Sequence, residues 1–235
     1  MQETPQVNLI FVNGKIGSGK GTMVPRLLRT LPDSTLISTG DIYRSARDRV
    51  GEYAQFHNDI SRFVDLVENQ GGLIRDEVMV PIVGKVLARK VNEGFKNFVF
   101  DGFPRTDPQL TEADEMIKNL RYRFGERNLI ARFVCLATTD SISLRRVERR
   151  RQNDIRQGKA PRPEDEPKAA KKRLVVYNES GKTNDMLHRL AREKRLMVIK
   201  GNGGRTDEWR RLERELEYGR ATERELPRVP HGKET

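Results

Sequence analysis

The sequence predicts an α/β fold, a parallel sheet flanked by helices. Three observations predict it. Short runs such as residues 7–12 and 98–100 are apolar nearly throughout, the pattern of strands buried on both faces rather than one. Longer segments with helical spacing lie between them, so strand and helix alternate along the chain. A glycine-rich stretch follows the first apolar run directly, where a strand would turn into a helix.

Residues 7–12, Val-Asn-Leu-Ile-Phe-Val, form the first strand, and 22–31 a helix that stops before Pro32. A short second strand covers 36–38. Segments 41–49 and 54–70 read as helices, the second halted by Gly71 and Gly72. Val80, Val83, Val86 and Leu87 carry helical periodicity through 76–93, which places Pro81 in the first turns of that helix. The third strand is 97–101, and a helix covers 111–122. The fourth and fifth strands are 129–136 and 195–200. Further helices cover 141–151, 166–180 and 207–220. Segment 152–163 is polar and holds Gly158, Pro161 and Pro163, so it reads as an exposed loop between two basic helices. Residues 221–235, with Pro227, Pro230 and Gly232, read as a flexible tail.

A length of 235 residues fits one domain. Charged residues make up 34% and apolar ones 35%, but the apolar ones are concentrated in the strands, so a core is available and wholesale disorder is excluded. No apolar run reaches membrane-spanning length, and residues 1–6 are polar with no signal-peptide pattern. A cytoplasmic protein with no membrane partner is the expectation. The single cysteine, Cys135, excludes an internal disulfide framework and a multi-cysteine zinc site, and His57, His188 and His231 lie too far apart for metal-ligand spacing. The net charge is +11, of which segment 145–173 carries +7. Such a balance suits anionic partners, with nucleotides, nucleic acid and a membrane surface all open on charge alone.

The glycine-rich stretch is Gly14-Lys15-Ile16-Gly17-Ser18-Gly19-Lys20-Gly21-Thr22. Glycines let the backbone turn tightly enough to aim several N–H groups at phosphate oxygens. The helix N-terminus adds favourable partial charge, and Lys20 reaches the outer phosphates. A strict phosphate-loop pattern has Ser or Thr directly after the lysine; here Gly21 intervenes before Thr22.

Four further stretches follow in order. Ser38-Thr39-Gly40-Asp41-Ile42-Tyr43-Arg44 could by itself be a capped surface helix. Gly72-Leu73-Ile74-Arg75-Asp76 could be a turn entering a helix. Asp101-Gly102-Phe103-Pro104-Arg105-Thr106-Asp107-Pro108-Gln109 comes straight after a buried strand. Arg146, Arg150, Arg162 and Arg173 then fall around the polar loop. Together these motifs resemble those of the nucleoside monophosphate kinases, and within them the adenylate kinase family, over residues 7–204. The loop departs from the family at Ile16, where a proline is usual, and Glu164 stands where many members have Asp.

The resemblance implies a P-loop NTPase-type core of residues 1–37, 75–148 and 166–220, with a helical monophosphate-binding insert at 38–74 and a short lid at 149–165. It implies reversible, direct in-line transfer of a phosphoryl group from ATP to AMP, giving two ADP, with no covalent intermediate. Lys20, Arg105, Arg150, Arg162 and Arg173 would stabilise charge. ATP would be held by Gly17, Ser18, Gly19, Lys20, Gly21, Thr22, Arg146, Arg150 and Gly203. AMP would be held by Thr39, Arg44, Gly72, Leu73, Ile74, Gly102, Phe103, Pro104, Arg105, Gln109, Arg162 and Arg173. Asp101 and Asp41 would face Mg²⁺ through water. No structural zinc, no specific nucleic acid and a monomer are expected. A UMP or CMP kinase is the nearest alternative; Thr39, Thr106 and Gln109 favour AMP. A basic nucleic-acid-binding protein that keeps the fold without turnover is the alternative from another class.

Overall fold

The computed structural model describes residues 7–179, 182–201 and 206–218. Five parallel strands form one sheet: β1 (Val7–Asn13), β2 (Ser34–Ser38), β3 (Asn97–Asp101), β4 (Leu129–Ala137) and β5 (Leu196–Lys200), in the order β2-β3-β1-β4-β5. This is the helix-flanked parallel sheet that the alternation predicts, and it has the α/β P-loop NTPase type that the resemblance implies. Residue period decides which side each strand side chain serves. Leu9, Phe11, Phe98, Phe100, Phe133 and Leu196 face one core. They pack on α5 (Asp76–Asn92), α6 (Asp107–Phe124) and α9 (Lys182–Arg192). Ile10, Val12, Val99, Val134, Met197 and Ile199 face the other. They pack on α1 (Lys20–Thr30) and α10 (Asp207–Tyr218).

Phe11 stacks between Phe100 and Phe133, with ring centroids 4.5 and 4.7 Å away, and so joins the three central strands on one face. It is fully buried. Phe11→Ala should lower stability by about 3–5 kcal/mol, because it removes the middle ring and leaves a cavity that its neighbours cannot close. The urea midpoint checks this.

From β1 the chain leaves toward β2 on one side, and from β3 it crosses over β1 to β4 on the other. In open parallel sheets ligands bind at the carboxyl ends of strands beside such a reversal. The ends of β1 and β3 carry Asn13–Gly14 and Asp101–Gly102.

Several elements differ from expectation. Segment 54–70 is not one helix. It alternates 3₁₀ turns (Gly51–Phe56, Ser61–Phe63) with the α-turns α3 (His57–Ile60) and α4 (Val64–Glu68). The buried residues of these turns, Tyr53, Phe56, Ile60, Phe63 and Val67, are spaced three, four, three and four apart. A 3₁₀ turn aligns residues three apart and an α-turn those four apart, so the alternation keeps all five on the core side. The helix read as 141–151 is α7 (Asp140–Arg156). Polar residues suggested a loop, but nothing breaks the helix before Gly158, which adopts φ 69° just after it. Helix α6 begins at Asp107 rather than at 111, capped by the Thr106 side chain, with Pro108 in its first turn. Helix α9 was not foreseen, although Met186, Leu187 and Leu190 carry its apolar spacing. Helix α2 (Thr39–Asp48) and α8 (Pro167–Glu179) match the reading closely. Among the described residues no helix is long and apolar enough to cross a membrane. The tail 221–235 lies outside the described residues.

Candidate active site

A cleft of about 790 Å³ opens at the carboxyl ends of β1 and β3. Its floor is the loop between β1 and α1. Gly17 has φ 70°, and a Cβ there would run into the Ser143 backbone of α7. The residue must therefore be glycine for the loop to seat against α7. The Arg146 guanidinium, from α7, donates to Gly17 O at 3.4 Å and Ser18 O at 3.3 Å. Lys15 pairs with Asp140, the first residue of α7, whose other oxygen accepts from Asn178 of α8 at 2.9 Å. The loop, α7 and α8 are thus tied together at Asp140.

Lys20 Nζ donates to Gly14 O at 2.5 Å and Lys15 O at 3.2 Å, which curls the side chain back over the loop. Burial pushes its ammonium down to about 8, with the Asp101 carboxylate working the other way and the Arg105 guanidinium adding to the depression. At pH 9 the ammonium is therefore mostly neutral, and a phosphate ligand beside it would restore its charge. Binding of ATP at that pH should take up about one proton. Calorimetry in buffers of different ionisation enthalpy reads this directly, and Lys20→Met should abolish it.

Arg105 and Arg173 lie side by side in the cleft. Burial first, then their like charges, push the Arg105 guanidinium down; burial does the same to Arg173, against the pull of Glu164 and Asp165. Arg105 Nε donates to Gly102 O at 2.7 Å, which leaves the two terminal nitrogens for an anion. A Cβ on Gly102, which has φ 78°, would collide with that guanidinium. Among the described residues that line the cleft, five have a buried polar side-chain atom with no protein partner: Asn13 Nδ2, Ser18 Oγ, Asp101 Oδ1, Arg173 Nε and Trp209 Nε1. Buried polar groups require partners, so these atoms point to a polar ligand. One carboxylate oxygen beside a phosphate loop suits Mg²⁺, which keeps most of its waters and takes its remaining ligands from phosphates. Among the described residues no group of three or more His, Cys, Asp or Glu side chains is placed to hold a metal ion by itself.

Gly17, Ser18, Gly19, Gly21, Thr22, Asp41, Arg44, Arg146, Arg150, Arg162 and Arg173 all line the cleft with Lys20, Asp101, Gly102 and Arg105. A smaller cavity of about 80 Å³ opens off it, lined by Thr39, Gly72, Leu73, Ile74 and Gln109 among others. Two expected residues stand elsewhere. Phe103 and Pro104 are buried and line neither space, because the chain turns them inward toward the core. Gly203 lies outside the described residues.

Some expected ligand contacts are already engaged within the protein. Arg44 donates to Asp41 at 2.5 Å and to Glu164, from the turn between α7 and α8, at 3.1 Å. Arg150 forks onto the fully buried Asp165, its Nε at 2.7 Å from Oδ2. Burial opposes the Arg150 charge, and the Asp165 pairing more than restores it. Gln109 accepts from Arg105 N–H and donates to Asp76. What sequence reasoning missed is the partners these acids take: Glu164 and Asp165 with named arginines, and Asp76, the last residue of its motif, with Gln109. Two adjacent acids in a strongly basic segment were the available signal for the first pair. Cys135 sits beneath the cleft, where burial pushes its thiol up to about 11, as suits an unreactive core residue.

A glycine-rich phosphate loop on a parallel sheet, under a group of arginines, defines the class of P-loop phosphotransferases. The adenylate kinase family model matches residues 12–189. The chain is 31% identical over 173 residues to an adenylate kinase of Agrobacterium fabrum, covering 74% of this chain and 80% of that one. It is 32% identical over 173 residues to one of Hyphomonas neptunium, covering 74% and 79%. It is 30% identical over 181 residues to one of Deinococcus deserti, covering 76% and 82%. The chain belongs to the adenylate kinase family, and is a phosphotransferase acting on nucleotides.

Proposed function

We propose that this chain catalyses the reversible, Mg²⁺-dependent transfer of a phosphoryl group from ATP to AMP, giving two ADP. The observation that carries the reading is the meeting of Lys20, Arg105, Arg150, Arg162 and Arg173 on one cleft, beside the unpartnered carboxylate oxygen of Asp101. Phosphoryl transfer asks for alignment and positive charge around the equatorial oxygens more than for covalent help. No general base is needed, because the accepting phosphate is already anionic.

In this reading the loop N–H groups and Lys20 hold the donor phosphates, and Arg146 covers the donor. Arg44 and Arg105 hold the acceptor phosphate. Arg150, Arg162 and Arg173 surround the group in flight. Asp101 and Asp41 would hold Mg²⁺, which would supply neutralisation of phosphate charge. The smaller cavity takes the acceptor base, with Thr39 and Gln109 polar and Tyr43, Val67 and Met79 apolar in its wall. Segments 38–74 and 149–165 act as the acceptor-binding insert and the lid. Binding phosphates would draw Arg44 and Arg150 from Glu164 and Asp165, so ligand and lid acids compete for the same guanidiniums. We further assign it to the cytoplasm as a monomer that maintains the adenine nucleotide pool.

A coupled assay of ATP plus AMP going to ADP, repeated with UMP and CMP, tests the assignment. Preference for AMP supports it. Preference for UMP or CMP overturns the acceptor, and undetectable ADP formation beside a salt-sensitive shift on RNA overturns the enzyme reading.

A further inference from the structure

Gln109 carries a side-chain amide whose two ends are alike in shape and opposite in hydrogen bonding. Turned one way it presents an acceptor and a donor in one order; turned by half a revolution it presents them reversed. What it faces in this fold decides the order. The backbone N–H of Arg105, a donor only, lies 2.8 Å from Oε1. The carboxylate of Asp76, an acceptor only when ionised, lies 2.6 Å from Nε2. A turned amide would set NH₂ against N–H and oxygen against carboxylate. Gln109 is buried, with 3% of its surface exposed, so neither mismatch could be relieved by water.

Asp76 is itself held. Thr106 Oγ1 donates to its other oxygen at 2.8 Å. That hydroxyl also accepts from the Gln109 backbone N–H at 3.2 Å as the cap of α6, so its single proton is committed to Asp76. Asp76 begins α5, where the helix dipole favours a carboxylate. The network therefore joins the start of α5 to the start of α6 across one wall of the smaller cavity.

We propose that Asp76 is a positioning residue that sets acceptor-base specificity by locking the orientation of the Gln109 amide. The inference rests on the reading of the smaller cavity as the acceptor-base site. With the amide locked, it has one Oε1 lone pair and one Nε2 hydrogen left to offer the cavity it lines, in a fixed order. An adenine edge offers a 6-amino donor beside a ring-nitrogen acceptor and matches that order. Hypoxanthine offers a 6-oxo acceptor beside an N–H donor, which is the reverse. An amide free to turn could serve both, whereas the locked one serves adenine.

The test compares kcat/KM for AMP and for inosine 5′-monophosphate, at saturating ATP, in the full chain. Asp76→Asn keeps the shape but can also donate, so it loosens the lock; Asp76→Ala removes the acceptor. Thermal melting confirms that each variant is folded. Both should lower the preference for AMP on the order of tenfold, through KM for AMP, with KM for ATP unchanged. A change that merely loosened the structure would not shift the ratio toward the 6-oxopurine. In a Gln109→Ala background Asp76→Asn should change the ratio no further, because there is no amide left to orient. The proposal is overturned if folded Asp76 variants keep the wild-type preference, or if the Asp76 and Gln109 effects multiply independently. If Gln109→Ala itself leaves the preference intact, the base-site reading falls and this one with it. If only the Asp76 variants leave it intact, the base-site reading survives alone.

Discussion

Lys20→Met should lower kcat on the order of 10²-fold or more and leave the chain folded. The reason lies in how the charge is kept. Lys20 is buried, its Nζ rests on two loop carbonyls, and burial has brought its ammonium down to about 8. It is thus a charge the folded protein holds at some expense until phosphates arrive. The sign can be followed through. A lysine whose folded value lies below its ordinary 10.5 opposes folding while it is protonated in both states, and stability from it rises as pH climbs from about 8 to 10.5. Methionine keeps the length without the charge, so the melting temperature near pH 7 should not fall. The loss of turnover would then be electrostatic rather than structural. Near-normal kcat in the folded variant would refute the role given to Lys20.

Arg105→Lys should lower kcat/KM for AMP, also on the order of 10²-fold, with KM for ATP little changed. The charge survives this substitution; the planar fork does not. Arg105 uses Nε on Gly102 O, and that bond orients the two terminal nitrogens together toward the cleft, the geometry that meets two phosphate oxygens at once. An ammonium on a flexible stem cannot hold that backbone contact and two oxygens in the same way. Kinetics with each nucleotide varied in turn separate the outcomes. A rise in KM for ATP with AMP unaffected would move Arg105 to the donor side.

The phosphate loop was legible because its chemistry is contiguous. Strand, glycines, lysine and helix follow one another, and a Gly17 that cannot carry a side chain announces itself by residue type. The run from Asp101 to Gln109 was legible for the same reason, since its polar residues leave the end of one buried strand together. The broken insert was harder. The spacing of Tyr53, Phe56, Ile60, Phe63 and Val67 was visible, but a mean of 3.5 residues fits one continuous helix as well as alternating turns. The end of helix α7 is illegible for a different reason: polarity marks a loop no better than it marks a surface helix, which is polar over most of its circumference.

The amino-acid order by itself determined the strands, the phosphate loop and the arginines. Those depend on residue type and on periods of two and about 3.6, which act over a few neighbours. Only the tertiary structure decided the partners. Asp76 meets Gln109 from 33 positions away, Glu164 meets Arg44 from 120, and Arg150 finds Asp165 across the turn between two helices. A lone arginine in a sequence carries no mark of which carboxylate will neutralise it, nor a glutamine of which way its amide will face. Both are set when the sheet brings loop ends together in a buried space, where an unpaired charge or a reversed hydrogen bond costs too much to persist.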